Sequence, residues 1–176
     1  MDTVSPSGTW SYALRLPHDP RAARVARNDP RAARVARMTV RAALSGHGRQ
    51  ESLDTVALLT SELVTNAYRH THGPASLRLT ALANGRLRVG VWDSHPRIPA
   101  PFGEPPWDSV RPAPADAEEG RGLRLVQEYA DAWGGWPIGD GGPLDRGAGK
   151  LLWFEVRGRG PEGTRKGVAC DVAGAT

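Results

Sequence analysis

Two polar side chains four residues apart are the first candidates for chemistry. Glu62 and Asn66 lie in the stretch ELVTN, and this spacing places both on one face of a helix. That face lies away from the apolar stripe containing Leu59 and Leu63. An amide oxygen beside a carboxylate can hold Mg²⁺, which prefers oxygen ligands, and Glu62 can accept a proton from an attacking hydroxyl group. Taken alone, such a pair is more often a solvated helix face.

Two further segments carry groups suited to a nucleotide. Asp93 ends an apolar strand, where a carboxylate can accept a hydrogen bond from an amine such as that of adenine, although aspartate at this place often only starts a turn. Residues 120–123 (GRGL) open a helix after a long loop. Backbone N–H groups at such a helix start can bind phosphate, although a Gly-x-Gly pair is equally typical of a flexible start. Gly149 and Lys150 lead into an apolar strand, for which a plain core strand is the simpler interpretation.

Hydrophobic periodicity predicts the elements that position these groups. Residues 53–70 place apolar side chains at helical spacing, and Gly73-Pro74 prevents the helix from continuing. Residues 76–82 and 86–92 alternate apolar and polar side chains. Because Asn84-Gly85 lies between them, we expect a β-hairpin with a type I′ turn.

The remaining pattern predicts a strand at residues 10–16, a helix at 123–130 and strands at 133–138 and 151–156. Residues 94–119 are rich in proline and lack periodicity, which predicts a mobile loop.

A tandem repeat precedes the first long helix. The stretch DPRAARVAR occurs at residues 19–27 and again at 29–37. The apolar stripes of the two copies would lie about 80° apart on one continuous helix, and Pro30 would interrupt it, so we predict a break at residues 28–30. The second copy should pack, because residues 32–43 continue its stripe.

The composition of the chain excludes several classes of protein and of metal site. The chain has 176 residues, a net charge of +4 and one cysteine, Cys170, which excludes an internal disulfide and a multi-cysteine metal site. His70, His72 and His95 lack the spacing of a zinc site. We find no apolar run long enough to cross a membrane and no secretory signal, and we expect a cytoplasmic protein. The scattered arginines fit GC-rich coding better than nucleic-acid binding.

Taken together, the chain resembles the anti-sigma-factor serine kinase branch of the GHKL superfamily (gyrase, chaperone, histidine kinase and mismatch-repair ATPases) over about residues 12–156. ELVTNAYRH at 62–70 is similar to that family's N box, and VWDSHPRIP at 91–99 occupies its G1 box. GRGLRLVQEYADAWG at 120–134 is similar to its G2 box, and GKLLWFEV at 149–156 to its closing strand.

The resemblance implies ATP and Mg²⁺ as ligands. Asn66 would coordinate Mg²⁺, Glu62 would be the general base and Asp93 would bind the adenine amino group. Residues 97–119 would form a lid over ATP. The rest of the nucleotide-binding set would be Gly120, Arg121, Gly122 and Leu123.

The implied fold is an α/β (α+β) two-layer sandwich, with a mixed, mostly antiparallel sheet covered on one face by helices, as in Bergerat-type ATP-binding domains. It would span residues 1–157, followed by a disordered tail at 158–176. Two departures weaken the expected contacts with adenine. Residues 94–96 (SHP) follow Asp93 where many members have glycines, and Leu151 stands where a threonine or serine often supports the adenine through water.

The implied function is that of a regulatory serine/threonine kinase, which would bind a sigma factor and phosphorylate an anti-sigma antagonist. Homodimers are common in the resembled family. The alternative is a non-catalytic binding module, in which ATP orders the lid and the lid recognises a partner.

Overall fold

A computed structural model of the chain describes residues 9–17, 30–71, 73–100, 102–103, 121–139 and 148–157. The first repeat copy, most of the predicted lid, Gly120 and the predicted tail lie outside the described residues.

Five strands form one sheet in the described part of the chain, and all of their pairings are antiparallel. The strands are β1 (Ser11–Arg15), β2 (Ala75–Ala81), β3 (Arg86–Asp93), β4 (Ala132–Ile138) and β5 (Gly149–Arg157). The order across the sheet is β1-β2-β3-β5-β4, so the last of these strands in chain order lies between β3 and β4.

Three helices are found among the described residues: α1 (Pro30–Gly46), α2 (Leu53–His70) and α3 (Arg121–Tyr129). A 3₁₀ turn at Gln50–Ser52 leads into α2. The helix α2 contacts β2, β3 and β5 and is flanked by α1 and α3. This arrangement confirms the predicted α/β sandwich. None of the helices in the described ranges combines the length and apolarity needed to cross a membrane.

Strand alternation separates the two faces of the sheet. Leu87, Val89 and Val91 of β3 are buried in the core beneath the helices. On the opposite face, Arg88 forms an ion pair with Glu155, and its guanidinium group lies 4.6 Å from the centre of the Trp153 ring.

The second repeat copy packs as predicted. The helix α1 begins at Pro30, where proline is favoured because its missing N–H has no partner within a helix. Ala32, Ala36, Val40 and Leu44 follow at helical spacing and are fully buried.

The β2–β3 hairpin is found where predicted, but its turn differs. Leu82 N–H donates to the carbonyl of Arg86, and Ala81 pairs with Leu87, so the loop contains three residues. Gly85 has a φ of 78°, in the left-handed region. The predicted two-residue type I′ turn is therefore wrong. The Asn-Gly pair signals a hairpin but does not fix which residues close the ladder.

Candidate functional site

One side of α2 faces the start of α3. Glu62, Asn66 and His70 follow one another at intervals of four residues along this side. Asn66 and His70 line a cavity, and Leu123 of α3 lines the same cavity. The structure therefore brings the predicted N-box and G2-box segments together.

Glu62 lies directly against the first turn of α3. A Cβ atom placed on Gly122 would lie 2.1 Å from Oε2 and 3.3 Å from Cβ of Glu62, so a larger residue here would require the Glu62 side chain to shift. A carboxylate at this position is also favoured by the positive end of the helix dipole. Gly122 thus has a packing reason for its identity, in addition to the predicted role in phosphate binding.

The side-chain amide of Asn66 is unusual because one of its polar atoms is buried without a partner. Asn66 is 7% exposed, and its Nδ2 has no hydrogen-bond partner among the described residues. An unpaired buried polar group costs about 1–3 kcal/mol. An amide that carries this cost and lines a cavity is suited to a polar ligand.

The cavity has a volume of about 370 Å³, within the range of roughly 300–1,000 Å³ typical of small-molecule sites. Among its described lining residues, none is acidic, and the polar ones carry positive charge, imidazole or amide groups. The lining consists of Asn66, His70, His95, Arg97, Pro99, Ala100, Leu123 and Lys150. Because Asp93 balances the charge of Lys150, Arg97 is the lining residue whose charge favours an anionic ligand.

One of the lining residues, Lys150, belongs to a buried ion pair. Lys150 Nζ lies 2.9 Å from Oδ1 of Asp93, and both side chains are 1% exposed. The same Oδ1 accepts a hydrogen bond from the backbone N–H of His95, and Lys150 also donates to the carbonyl of His95. Burial raises the pKa of Asp93 above its ordinary value, and the hydrogen bond and charge of Lys150 oppose this change.

The register of β3 and β5 brings Asp93 and Lys150 together. Asp93 is directly opposite Lys150 in the β3–β5 ladder, although 57 residues separate them in the chain. The neighbouring Gly149 permits the close approach, because a Cβ atom there would lie 2.2 Å from the backbone oxygen of Asp93. The glycine therefore serves strand packing beside the ion pair.

The segment after β3 is held to the body of the domain. Ser94 Oγ lies 2.7 Å from Thr71 Oγ1 at the end of α2. Farther along, Phe102 is buried and Ile98 packs against the core. Residues 94–100 and 102–103 form no helix or strand, as expected for a loop, and these side chains attach them to the core. The predicted mobility of the loop stays a prediction. The lid prediction for residues 104–119 lies outside the described residues.

Only some of the predicted site residues therefore line the cavity. Asn66 and Leu123 line the cavity, and Glu62 contacts Gly122 at its edge. Asp93 is beneath Lys150 and is absent from the described cavity lining. Arg121 begins α3, while Gly120 is outside the described residues.

Sequence reasoning did not name six of the described lining residues as site residues: His70, His95, Arg97, Pro99, Ala100 and Lys150. The four-residue spacing from Asn66 could have revealed His70, which lies one turn farther along the same face. Arg97 and Lys150 carry positive charge in segments that we assigned to a lid and a core strand, and only the tertiary structure brings them to the cavity.

The lining is compatible with a nucleotide and Mg²⁺. No group of three or more His, Cys, Asp or Glu residues that could hold a metal ion is found in the described ranges. Mg²⁺ does not require such a group, because it usually retains water and shares phosphate oxygens with only one or two protein ligands. Asn66 could supply one oxygen, since the two ends of an amide are interchangeable by rotation.

Comparison with known proteins agrees with this architecture. A stretch of 69 residues, 38% of this chain, is 42% identical to an uncharacterized protein of Streptomyces coelicolor and covers 57% of that protein. The sequence model of the histidine kinase-like ATPase domain matches residues 26–135, more than half of the chain, and includes α1, α2, β2, β3 and α3. The chain therefore belongs to the histidine kinase-like ATPase domain family, within the GHKL superfamily.

Proposed function

We propose that this protein binds ATP with Mg²⁺ in the cavity between α2 and α3, and acts as a regulatory serine/threonine kinase of the anti-sigma-factor type. The observation that carries the binding proposal is the Asn66 amide, buried with an unpaired Nδ2 in a cavity whose described charged lining residues are all positive. Membership in the family implies ATP binding and supports the same ligand.

The proposed roles follow from position. Asn66 would hold Mg²⁺, and Arg97 and His70, which both line the cavity, would contact the phosphates. Gly120, Arg121, Gly122 and Leu123 would form the phosphate-binding start of α3. Bound ATP would supply the phosphoryl group, and Glu62 would accept the proton of the acceptor serine.

The protein partners, the oligomeric state and the cellular compartment are part of the same proposal. The substrate would be an anti-sigma antagonist, the sequestered partner a sigma factor, and the assembly a homodimer in the cytoplasm. Their support is the resemblance of the four motifs to that branch.

Calorimetry tests the binding proposal. Asn66→Ala should weaken Mg-dependent ATP binding by at least about tenfold, which corresponds to ~1.4 kcal/mol. Asn84→Ala is the matched control, because Asn84 is an exposed asparagine in the hairpin turn, at the other end of β3 from Asp93. Equal affinities of wild type and Asn66→Ala would contradict the assigned role.

A second function, nucleotide-dependent binding without phosphoryl transfer, is favoured by one observation. Glu62 packs against Gly122 and is absent from the described cavity lining, so its carboxylate is not directed at the bound ligand in this arrangement. Incubation with labelled ATP and candidate antagonists separates the two functions. Serine phosphorylation that disappears in Glu62→Ala while ATP binding persists supports the kinase; binding without transfer to any antagonist supports the module.

A further inference from the structure

The face of the sheet that points away from the helices, here called the open face, gathers arginines that are scattered along the sequence. Strand register places alternate residues of all five strands on this face. The charged residues at these positions in the described strands are five arginines and one glutamate: Arg15, Arg78, Arg86, Arg88, Arg157 and Glu155. The open face is therefore strongly positive.

Most of this positive charge has no close counter-charge. Arg86 and Arg88 share the single carboxylate of Glu155. Arg15 and Arg78 are exposed and form no ion pair in the described part of the chain. Guanidinium groups in this situation attract anions, and their planar donors match the geometry of phosphate in particular. The charge of the open face thus suits a partner that carries several phosphates.

Two tryptophans lie among these arginines. The ring centres of Trp136 and Trp153 are 5.5 Å apart. Trp153 is fixed by two contacts, because a Cβ atom on Gly134 would lie 3.0 Å from its ring and the guanidinium group of Arg88 lies 4.6 Å from its ring centre. Trp136 packs beside this fixed ring and remains 41% exposed. Its indole offers a flat apolar surface within a basic face, which suits a planar ring of the partner.

From this combination we infer that the open face binds single-stranded nucleic acid, with a base stacked on Trp136 and phosphates held by Arg78 and its neighbours. A single strand presents both a charged backbone and unstacked bases. A duplex keeps the faces of its bases inside its own stack. An acidic peptide would satisfy the arginines but would leave the exposed indole without a planar partner.

The open face is separated by the sheet from the cavity between α2 and α3. The cavity lining lies on the helix side, where Lys150 of β5 points, whereas Trp153 of the same strand belongs to the open face. Nucleic acid and ATP should therefore bind independently. The inference does not rest on the proposed function of the cavity.

Fluorescence anisotropy of the full chain with labelled oligo(dT) and oligo(rU) of about 12 nucleotides, between about 50 and 200 mM salt, tests the inference. Trp136→Ala should weaken binding of the single strands by at least about fivefold, because it removes the stacking surface, whereas Trp136→Phe should retain most of the affinity. A duplex of the same length should show no such loss. Arg78→Gln should weaken binding and reduce the slope of log affinity against log salt by about 0.7, the value for one phosphate contact of a single strand.

Two control variants lie outside the open face. Arg34→Gln lowers the net charge by the same amount as Arg78→Gln, but Arg34 is exposed on α1 in the helix layer. Tyr129→Ala removes an aromatic side chain that is 54% exposed at the end of α3. Both should leave the affinity within about twofold of wild type.

Several results would overturn the inference. Absence of binding at about 50 mM salt would do so, and equal losses in Arg34→Gln and Arg78→Gln would show attraction by net charge alone. Tighter binding of an oligo-glutamate peptide than of either oligonucleotide would assign the face to an acidic protein. Displacement of the oligonucleotide by excess ATP with Mg²⁺ would place it in the cavity. An oligonucleotide affinity that persists in Asn66→Ala supports the inference, whether or not that variant binds ATP.

Discussion

Removing Lys150 should destabilise the folded protein, and the loss should depend on pH. In Lys150→Met the side chain keeps much of its volume but loses its charge. Asp93 then remains 1% exposed without the ammonium group that lies 2.9 Å away in the wild type. Breaking a buried pair in this way typically costs about 3–5 kcal/mol, because an uncompensated charge stays in the interior.

Protonation limits the size of this effect. The buried carboxyl group can escape the penalty by binding a proton, at a cost of about 1.4 kcal/mol for each pH unit above its ordinary pKa of 3.8. This limit is about 4 kcal/mol at pH 7 and about 1.6 kcal/mol at pH 5. We therefore expect the free energy of unfolding of the variant to approach that of wild type as the pH falls.

The direction of this pH dependence follows from proton binding by Asp93. Burial raises the pKa of Asp93 in the folded state, and loss of Lys150 removes an interaction that lowers it. The folded variant consequently binds a proton more tightly than the unfolded chain. Its stability is greatest below the unfolded pKa of about 3.8 and decreases as the pH rises through the folded-state pKa.

Urea denaturation at pH 5 and pH 7 measures the effect. The double variant Lys150→Met/Asp93→Asn is the control, since replacing both charged partners is often neutral or stabilising. Its difference from wild type should be smaller than that of Lys150→Met at pH 7. A destabilisation of Lys150→Met that is below about 1 kcal/mol, or equal at the two pH values, would refute the reasoning.

Three further substitutions have distinct expected outcomes. Gly149→Ala should destabilise by about 2 kcal/mol or more in urea, because its Cβ would lie 2.2 Å from the backbone oxygen of Asp93; an unchanged midpoint would count against this contact. Gly122→Ala should reduce the free energy of unfolding less in a Glu62→Ala background than in wild type, with a coupling energy of about 1 kcal/mol. Additive effects of the two substitutions would show that the added Cβ atom does not collide with the Glu62 side chain. Asn66→Ala should not destabilise the protein by more than about 1 kcal/mol while it weakens ATP binding, because the substitution removes a buried Nδ2 that has no described partner; a loss of several kcal/mol would indicate a structural role.

Local pattern was sufficient for the elements that carry most of the site. Residues 53–70 were predicted as a helix from apolar spacing, and α2 has these bounds. The hairpin was predicted to within one residue at each strand end, because alternation reports directly on a sheet with one covered face. The family resemblance then allowed the helix α2 to be placed opposite the start of α3.

Features that depend on distant partners were not predictable in this way. The ion pair of Lys150 with Asp93 arises from the register of β3 with β5, and no local pattern encodes that register. The anchoring of residues 94–100 and 102–103 depends on Ile98 and Phe102, two apolar side chains in a proline-rich stretch without periodicity. Hydrophobic periodicity predicts helices and strands, but it does not predict single side chains that pack into the core from an irregular segment.

The position of β5 has a consequence for synthesis of the protein. Its two neighbours, β3 and β4, are translated first, but neither can complete its pairing until the final strand has emerged. The ribosome adds about 5–20 residues per second, so the 64 residues that follow Asp93, up to and including Arg157, require roughly 3 to 13 s. During that interval the nascent chain exposes an apolar strand edge, where chaperones or neighbouring chains can bind. The β3–β5 pairing, which brings Asp93 to Lys150 at the cavity, is thus among the last to form.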